Sequence, residues 1–376
     1  MNPSSEKIKK PSVCLIHDWL VAMRGGEKTL EAIADLFPEA PIYTLFLEHR
    51  KLSPELQKRE IHVSFLQYIP SISKFYRWLL PLFPIAVRFL NVQKFDLVIS
   101  SSHCVAKAVR VREDAVHICY CHTPMRYLWG FSEDYFGQFP KFLRWLTGFY
   151  FQRLKKWDIK TSQKVTSFIA NSRNTATKIK TFYGKTASVI CPPVELPDEK
   201  ISFVSTNQGK YFLIVSALVP YKRIELAIEA FNQLKQPLRI VGEGPLRSKL
   251  ERITQFEGIQ FEGWLDQAKL RERYADCRAL IFPGEEDFGI VPLEAQAYGK
   301  PVIAYGKGGA LESVTSDTGI FFYEQSAEAL IKAVKKFEHF RFDSQLIKHH
   351  AQSFNSERFK REILELIKQL SMPLTV

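Results

Sequence analysis

The stretch that decides the fold spans residues 279–304 and reads ALIFPGEEDFGIVPLEAQAYGKPVIA. It begins and ends with short apolar runs, and an acidic loop and a candidate helix lie between them. Pro292 in the first turn and Gly299 just past the end predict a helix at 292–298. A strand, a helix and a second strand at this spacing predict two parallel strands joined by a crossover helix.

The same alternation of strands and helices continues on both sides, which predicts an α/β protein with parallel sheets covered on both faces. In the second half, further strands are predicted at 211–217, 238–241, 259–261 and 319–322, and helices at 222–235, 245–254 and 266–277 with Asp266 as the N-cap. In the first half, strands are predicted at 12–17, 42–46, 61–65, 95–100, 116–120 and 166–170, and long helices at 73–90 and 141–161.

The length of 376 residues exceeds one ordinary hydrophobic core, so two domains are expected. A proline-rich segment at 192–197 and the polar residues at 202–209 place the boundary between them. We predict an N-terminal domain at 1–197, a C-terminal domain at 198–355, and a tail at 356–376 whose amphipathic helix packs back on the first domain. Two doubly wound domains of this kind are expected to face a cleft, with ligands outside the carboxyl ends of the strands.

The positive charge of the chain belongs to its first half. Residues 1–197 hold 28 Lys and Arg against 16 Asp and Glu, whereas residues 198–376 hold 24 of each, which accounts for the net charge of +12. Such asymmetry indicates a polyanionic partner: nucleic acid, anionic lipid or a phosphorylated substrate. The six cysteines lack metal-ligand spacing, and the chain start lacks a signal-peptide core, so we expect a cytosolic protein without a zinc site.

Glu286 and Glu294 flank the part of the decisive stretch that is most able to bind a ligand. Gly289 between them allows close approach of the backbone, and the amides at the start of the following helix attract anions such as phosphate. Carboxylates on either side can accept hydrogen bonds from sugar hydroxyls. Two glutamates at this spacing are by themselves more often surface residues beside a turn, but the order of strand, acidic loop, glycine and proline-started helix favours a site.

This segment closely resembles the E-x7-E region of the retaining glycosyltransferases of family 4, also called group 1. The resemblance covers most of the chain in the right order. The other segments that carry it are VSALVPYKRIELAIEA at 215–230, IVGEGPL at 240–246, RGGE at 24–27, YCHTP at 120–124 and IANS at 169–172. The variants TPMRYLW and LVPYKR are most similar to bacterial mannosyltransferase-type members, which build lipid-linked polysaccharide.

The resemblance implies two domains of the GT-B type and a role for each matched residue. Glu294 is expected to hold the ribose hydroxyls of the nucleotide, Glu286 the hydroxyls of the donor sugar, and Lys222 the departing diphosphate. His122 is expected near the anomeric carbon, where it binds a sugar hydroxyl or orients the acceptor. The remaining binding residues implied are Gly25, Gly26, Gly242, Gly244 and the amides of Phe288, Gly289 and Ile290.

One position departs from the family pattern. The family usually has an arginine five residues before the lysine, where this chain has Ala217, which leaves Lys222 with Arg223 as a possible substitute. The resemblance also implies front-face transfer assisted by the leaving phosphate, with no second carboxylate as nucleophile. No metal-ligand motif is apparent, so the expected substrate is a nucleotide diphosphate sugar, GDP-mannose in our interpretation, without a metal or other cofactor.

Two acid-free stretches, 61–95 and 135–157, mix aromatic side chains with lysine and arginine. This mixture is typical of interfacial helices on anionic lipid, where each cation contributes about 1 kcal/mol. A core helix with a basic outer face would give the same pattern. No apolar run is long enough to predict a membrane-spanning helix. We expect peripheral binding to the inner face of the membrane, a lipid-linked glycan as acceptor, and no nucleic-acid partner.

Two other classes of function explain parts of the sequence. A nucleic-acid-binding protein would explain the basic, aromatic-rich first half, but not the region around Glu286 and Glu294. A sugar-nucleotide epimerase on the same architecture would explain that region equally well, because a fold does not by itself determine a reaction. Release of free sugar products without an acceptor would favour the epimerase.

Overall fold

The fold is described from a computed structural model, which covers residues 11–129, 141–197 and 209–370 and gives only the backbone for Lys74, Arg77 and residues 141–147. Most of the predicted polar segment at 202–209, and part of the acid-free stretch at 135–157, lie outside the described residues. The chain divides into two compact units, Met1–Pro193 with Glu357–Val376, and Val194–Ser356.

The first unit is built on a seven-stranded sheet in which every pairing is parallel. Its order is β3-β2-β1-β4-β5-β6-β7, so the chain reverses direction across the sheet between β1 and β4. The strands are β1 (Val13–His17), β2 (Ile42–Thr44), β3 (Ile61–Val63), β4 (Leu97–Ser102), β5 (Val116–Cys121), β6 (Ser167–Ala170) and β7 (Ala187–Val189).

Helices cover both faces of this sheet, because alternate strand residues enter two separate cores. Leu15 packs into one core and its neighbours Cys14 and Ile16 into the other. The α-helices are α1 (Gly25–Ala34), α2 (Pro54–Gln57), α3 (Ile72–Phe75), α4 (Phe83–Ala86), α5 (Arg126–Trp129), α6 (Lys141–Ser162) and α7 (Arg173–Tyr183). Short 3-10 helices occur at His49–Lys51, Phe65–Tyr68, Tyr76–Leu82, Val87–Phe89 and Ala106–Ala108.

The predicted long helix at 73–90 is wrong, whereas the predicted long helix at 141–161 is confirmed as α6. In place of the former, α3 and α4 alternate with 3-10 segments, and no unbroken helix runs through this described region. Pro81 and Pro84 are the physical reason, since each lacks an amide proton and its ring clashes with the preceding turn.

The second unit repeats the plan with six parallel strands in the order β10-β9-β8-β11-β12-β13. Its strands are β8 (Tyr211–Val215), β9 (Leu238–Val241), β10 (Ile259–Gly263), β11 (Cys277–Phe282), β12 (Val302–Tyr305) and β13 (Gly319–Phe322). Its helices are the 3-10 turn Pro220–Lys222 and α8 (Ile224–Leu234), α9 (Arg247–Ile253), α10 (Gln267–Asp276), α11 (Ile290–Ala297), α12 (Ala310–Ser313), α13 (Ala327–Glu338) and α14 (Ser344–Gln352).

The four helices predicted for the second unit are confirmed as α8, α9, α10 and α11, whereas α12, α13 and α14 were not predicted. The Asp266 side chain caps α10 by accepting a hydrogen bond from the Lys269 amide at 2.9 Å. Helix α11 begins two residues earlier than predicted, so that Pro292 is its third residue, and Gly299 follows its end with a φ of +69°. The two sheets confirm the predicted α/β fold with two doubly wound domains.

The last helix, α15 (Ser356–Gln369), packs from Glu357 onward within the first unit. Phe359, Ile363 and Ile367 recur every four residues and are buried in the same core as Leu15 and Leu30. None of the described helices is both long and apolar enough to cross a bilayer.

Candidate active site

Lys222 and Glu286 meet at the carboxyl edge of the second sheet. Lys222 ends the 3-10 turn after β8, and Glu286 lies in the loop after β11, the neighbouring strand. The Lys222 ammonium is hydrogen-bonded to a carboxylate oxygen of Glu286, and the two side chains are only 13% and 17% exposed. The structure therefore brings together two of the predicted catalytic residues, which are 64 positions apart in the sequence.

Close backbone contacts hold these loops together. A β-carbon on Gly284 would lie 2.9 Å from the Lys222 α-carbon, so the loop after β11 rests directly on the turn that carries Lys222. A β-carbon on Gly308 would lie 2.4 Å from the Glu286 carbonyl oxygen, and the Gly309 amide donates to that oxygen at 2.8 Å. Only glycine allows such approaches, which fix the position of Glu286 from both sides.

The start of α11 lies directly after this pair. Gly289 occupies the N-cap position with a φ of +83°, a left-handed conformation that favours glycine. The amides of the first helical turn have no acceptor within the helix, so they form a region that favours anions. The structure thus places the predicted binding residues Phe288, Gly289 and Ile290 beside Glu286, with the Phe288 side chain buried beneath them.

Glu294 lies on the second turn of α11 and is engaged by a residue that the sequence did not identify. The Tyr274 hydroxyl donates a hydrogen bond to Glu294 Oε2 at 2.8 Å. Tyr274 is buried on α10 and its ring stacks on Tyr298 at 5.6 Å between centroids. Burial and the adjacent Glu294 raise the pKa of Tyr274 well above its ordinary value, so its hydroxyl stays protonated as the donor. No local sequence pattern marks Tyr274.

Gly242 and Gly244, predicted to bind the ligand, are packed against backbone instead. A β-carbon on Gly242 would lie 1.9 Å from the Ser216 carbonyl oxygen, and one on Gly244 would lie 2.4 Å from the Leu218 carbonyl oxygen. They therefore support the loop that contains Ala217. Any contact between these glycines and a ligand stays a prediction.

Arg223, the possible substitute for the arginine replaced by Ala217, is exposed. It has a φ of +54° and its guanidinium lies 3.6 Å from the Glu225 carboxylate. Lys307, in the loop after β12, is a further cation at this edge. Its ammonium lies 3.2 Å from the carboxylate of Glu285, which is in the loop after β11. The carboxylate of Glu285 raises the pKa of Lys307. Lys307 was not identified from the sequence.

In the first unit, the predicted residue His122 belongs to a hydrogen-bonded cluster at the carboxyl edge of the sheet. His17 ends β1, Ser101 lies near the end of β4, and His122 follows β5. The Ser101 hydroxyl is 3.0 Å from His17 Nδ1 and 2.8 Å from His122 Nε2. A β-carbon on Gly26 would lie 3.6 Å from His17 and 3.8 Å from His122, so the start of α1 covers both rings.

Asp18 has a structural role at this edge. Its buried carboxylate accepts hydrogen bonds from the four successive amides of residues 103–106, at 2.6–2.9 Å. Its Oδ2 also lies 3.2 Å from His103 Nδ1. Asp18 therefore caps the loop after β4.

Three histidine rings, those of His17, His103 and His122, lie within 5.8–6.4 Å of one another. Burial lowers the pKa of His17 to about 3, with a further contribution from His103, and burial and two nearby arginines lower that of His103 to about 3. His17 and His103 are therefore neutral at physiological pH. No group of three or more metal-ligating side chains occurs within the described ranges.

The predicted residues Gly25 and Gly26 form the first turn of α1. Glu27 in the same turn is buried, and its carboxylate accepts a hydrogen bond from the Arg24 amide at 3.1 Å. Burial raises the pKa of Glu27 to about 7. The first turn of α1 thus joins two small residues and a buried acid.

Comparison with known proteins identifies the family of both units. The family model described as Glycosyltransferase Family 4 matches residues 23–197, and the model described as Glycosyl transferases group 1 matches residues 197–358. Together they cover both domains and all the site residues described above except His17 and Asp18.

Two relatives illustrate the similarity. The chain is 28% identical over 139 residues to O-antigen chain mannosyltransferase C of Escherichia coli, a match that covers 35% of this chain and 38% of that protein. It is 27% identical over 294 residues to the human alpha-1,3/1,6-mannosyltransferase ALG2, covering 67% of this chain and 66% of the relative. The matches thus span less than two thirds of either relative.

Solved structures share the fold along nearly the whole chain. HepE from Anabaena, in complex with UDP and glucose, superposes with a TM-score of 0.68 at 19% identity and covers 95% of this chain and 99% of its own. The lipopolysaccharide outer core galactosyltransferase WaaB superposes with a TM-score of 0.63 at 14% identity, with coverage of 95% and 99%. On the two family models and this shared fold, the chain belongs to the group 1 glycosyltransferases, family 4.

Proposed function

We propose that this protein is a retaining glycosyltransferase that moves a hexose from a nucleotide diphosphate sugar to a glycan acceptor. The observation that carries the proposal is the partly buried Lys222–Glu286 pair beside the start of α11, on which Glu294 lies one turn further along. A cation, an anion-favouring helix start and two carboxylates together match the needs of a sugar diphosphate.

In this proposal each group has a distinct role. Lys222 and the first amides of α11 stabilise the negative charge that develops on the departing diphosphate, which is typically the largest contribution to such catalysis. Glu286 accepts hydrogen bonds from the donor sugar, and Glu294, oriented by Tyr274, accepts them from the ribose. We propose that Lys307, which lies beside Glu285 at this edge, takes the place of the family arginine.

We propose mannose as the sugar and GDP-mannose as the donor. Support comes from the two relatives named as mannosyltransferases. The solved complex with UDP and glucose makes UDP-glucose the main competitor in any test. The glycosyltransferase names of these proteins favour neither an epimerase nor a nucleic-acid-binding protein.

A thermal-shift panel of sugar nucleotides tests the donor site. GDP-mannose is expected to raise the melting temperature more than UDP-glucose or the free sugars. Glu294→Ala is expected to abolish this shift, whereas Glu286→Ala keeps a shift but loses turnover. Glu272→Ala, an exposed change on α10, is the control and retains both. Absence of a shift with every donor would contradict the proposal, and loss of turnover in EDTA would contradict its metal independence.

We also propose that the first unit binds the inner face of the membrane and takes a lipid-linked acceptor. Tyr68, Trp78 and Phe89 are 70–82% exposed in a stretch without acidic residues, and the Phe89 ring lies 6.0 Å from that of Phe65. On α6, Phe149 is 65% exposed and lies 5.6 Å from the Arg153 guanidinium. Exposed aromatic rings in a region with a net charge of +12 complement an anionic lipid surface.

Liposome sedimentation tests this part of the proposal. The protein is expected to pellet with phosphatidylglycerol vesicles at low salt and to stay in solution with neutral vesicles. Trp78→Ser with Phe89→Ser is expected to weaken pelleting, while Trp264→Ser, an exposed tryptophan of the second unit, does not. Retention on DNA without vesicle binding would favour the nucleic-acid alternative instead.

A further inference from the structure

A single buried hydroxyl links the two histidines at the carboxyl edge of the first sheet. Ser101 Oγ lies 3.0 Å from His17 Nδ1 and 2.8 Å from His122 Nε2. Ser101 is 1% exposed and His17 is fully buried. Their α-carbons are direct partners in the pairing of β1 with β4, so the strand register itself brings these two side chains together.

The chemistry of a hydroxyl couples the protonation of the two rings. The buried Ser101 hydroxyl has one proton, and that proton has an acceptor in this cluster only if the hydroxyl donates to one ring nitrogen and accepts from the other. Of His17 Nδ1 and His122 Nε2, one therefore carries a proton and the other does not. The ring that accepts from Ser101 must be neutral for this arrangement, and burial keeps the His17 ring neutral as well.

The second ring nitrogen of His17, Nε2, determines the direction of these two hydrogen bonds. His17 Nε2 is buried and, in the part of the chain that the structure describes, has no hydrogen-bond partner. A buried N–H without an acceptor is rarer and costlier than a buried lone pair without a donor. His17 therefore carries its proton on Nδ1 and donates to Ser101, and Ser101 donates to His122 Nε2.

We propose that Ser101 and His17 are positioning residues that fix the ring orientation of His122 and keep its proton on Nδ1. His122 then acts as a hydrogen-bond donor through Nδ1 toward a hydroxyl or phosphate oxygen of the substrate, and not as a proton acceptor at Nε2. The catalytic consequence rests on the proposed transferase function. The tautomer itself does not.

The same strand provides a matched control. Ser100 Oγ lies 2.9 Å from His117 Nε2, and both residues are buried. Because adjacent strand residues face opposite sides of a sheet, this pair lies on the other face from Ser101. Ser100→Ala thus removes one buried serine–histidine bond and Ser101→Ala removes two, of which one involves His122.

Nitrogen-15 NMR of the histidine rings tests the tautomer without any substrate. His122 in the wild-type protein is expected to be protonated on Nδ1. Ser101→Ala is expected to release it to the opposite tautomer or a mixture, while Ser100→Ala leaves it unchanged. His122 protonated on Nε2 in the wild type, or unaffected by Ser101→Ala, would overturn the proposal.

Three further variants keep the test decisive if Ser101→Ala folds poorly. His17→Asn places an amide donor near the position of Nδ1 and is expected to preserve the His122 tautomer, whereas His17→Leu is expected to lose it. Ser101→Thr restores the hydroxyl and is expected to restore the wild-type signal. Equal His122 signals in His17→Asn and His17→Leu would also contradict the proposal.

Kinetics separate this proposal from the proposed function. Ser101→Ala is expected to lower kcat about 10- to 100-fold with little change in KM for the donor, because His122 stays present but misoriented. Ser100→Ala is expected to keep wild-type kcat. A wild-type protein without turnover would refute the transferase function and leave the NMR result standing, whereas normal kcat in Ser101→Ala would refute the positioning role.

Discussion

The two units stabilise the loops at their sheet edges by different means. Among the residues that the structure describes, seventeen buried polar or charged residues belong to the first unit and five to the second. The first unit places hydrogen-bonded side chains beneath its loops, including the Lys107–Asp158 pair, the Asp18 carboxylate and the Ser101 link between His17 and His122.

The second unit relies on contacts between glycines and backbone. A β-carbon on Gly242, Gly244, Gly284, Gly308 or Gly309 would lie within 3.0 Å of a backbone atom. In the first unit, Gly26 has no such contact nearer than 3.6 Å, and Gly148 and Gly184 have none within 4 Å. Deletion of a side chain is therefore expected to destabilise the sheet edge of the first unit more. Addition of a methyl group to a glycine is expected to destabilise the sheet edge of the second unit more.

The largest effect is expected at the buried ion pair of the first unit. The Asp158 carboxylate is bonded to Lys107, to Trp129 Nε1 at 2.9 Å and to the Tyr183 hydroxyl at 2.8 Å. Asp158→Asn leaves Lys107 charged and unpaired, and is expected to lower the free energy of unfolding by about 3–5 kcal/mol. Urea denaturation measures this loss of free energy of unfolding. Asp114→Asn, which breaks an exposed pair, is the control, and equal losses in both variants would contradict the comparison.

The next effect concerns the positive charge of Lys222, at the sheet edge of the second unit. Lys222→Met removes the cation proposed to stabilise the departing diphosphate and is expected to lower kcat about 100- to 1,000-fold. Steady-state kinetics with the donor identified by the thermal-shift panel provide the measurement. Lys210→Met breaks an exposed ion pair with Asp276 and is expected to keep wild-type kcat. Comparable turnover in the two variants would remove Lys222 from the mechanism.

The close packing of glycines against backbone in the second unit predicts a smaller change in stability. A methyl group at Gly309 would lie 2.2 Å from the Phe288 α-carbon, so Gly309→Ala is expected to cost about 1–3 kcal/mol. Gly26→Ala adds a methyl group at ordinary contact distance and is expected to change the free energy of unfolding by less than about 0.5 kcal/mol. Thermal unfolding of both variants decides the matter, and a reversed order would break the comparison.

The last effect, comparable in size with that of the glycine substitution, is a dependence of stability on pH in the first unit. Glu27 has an ordinary pKa of 4.5, which burial raises to about 7 in the folded protein. The unfolded chain therefore loses this proton first, and wild-type stability falls as pH rises from about 4.5 to about 7. Glu27→Gln removes this loss, so its advantage over wild type is expected to grow by about 3 kcal/mol between pH 4 and pH 8, at about 1.36 kcal/mol for each unit by which burial raises the pKa. Parallel urea curves at the two pH values would show no growth if Glu27 titrates normally.

Local signals in the sequence predicted much of the second unit. The β11–α11–β12 segment formed as expected because Pro292, Gly289 and Gly299 act on the backbone within a few residues of themselves. The same kind of reasoning failed at 73–90, where hydrophobic content suggested a helix although Pro81 and Pro84 prevent one. That prediction gave more weight to the apolar residues than to the two prolines, which constrain the backbone more strongly.

The hydrogen-bonded cluster of His17, Ser101 and His122 could not be predicted from the sequence. Ser101 reads as one of three serines at the end of a strand, and its link to His17 depends on a strand register between residues 84 positions apart. Tyr274 on α10 and Glu294 on α11 are 20 positions apart, and their hydrogen bond follows no spacing rule. In each case the partner is chosen by three-dimensional packing.

The sequence by itself determined the α/β class, the family, the confinement of positive charge to the first half and the residues around Glu286. These follow from propensities, motifs and composition, which act locally or need only a count. Tertiary structure alone decided the strand order, the Lys222–Glu286 pair and the chain from His17 through Ser101 to His122. Those contacts join distant residues, and their formation depends on sheet register and loop packing that only the folded chain provides.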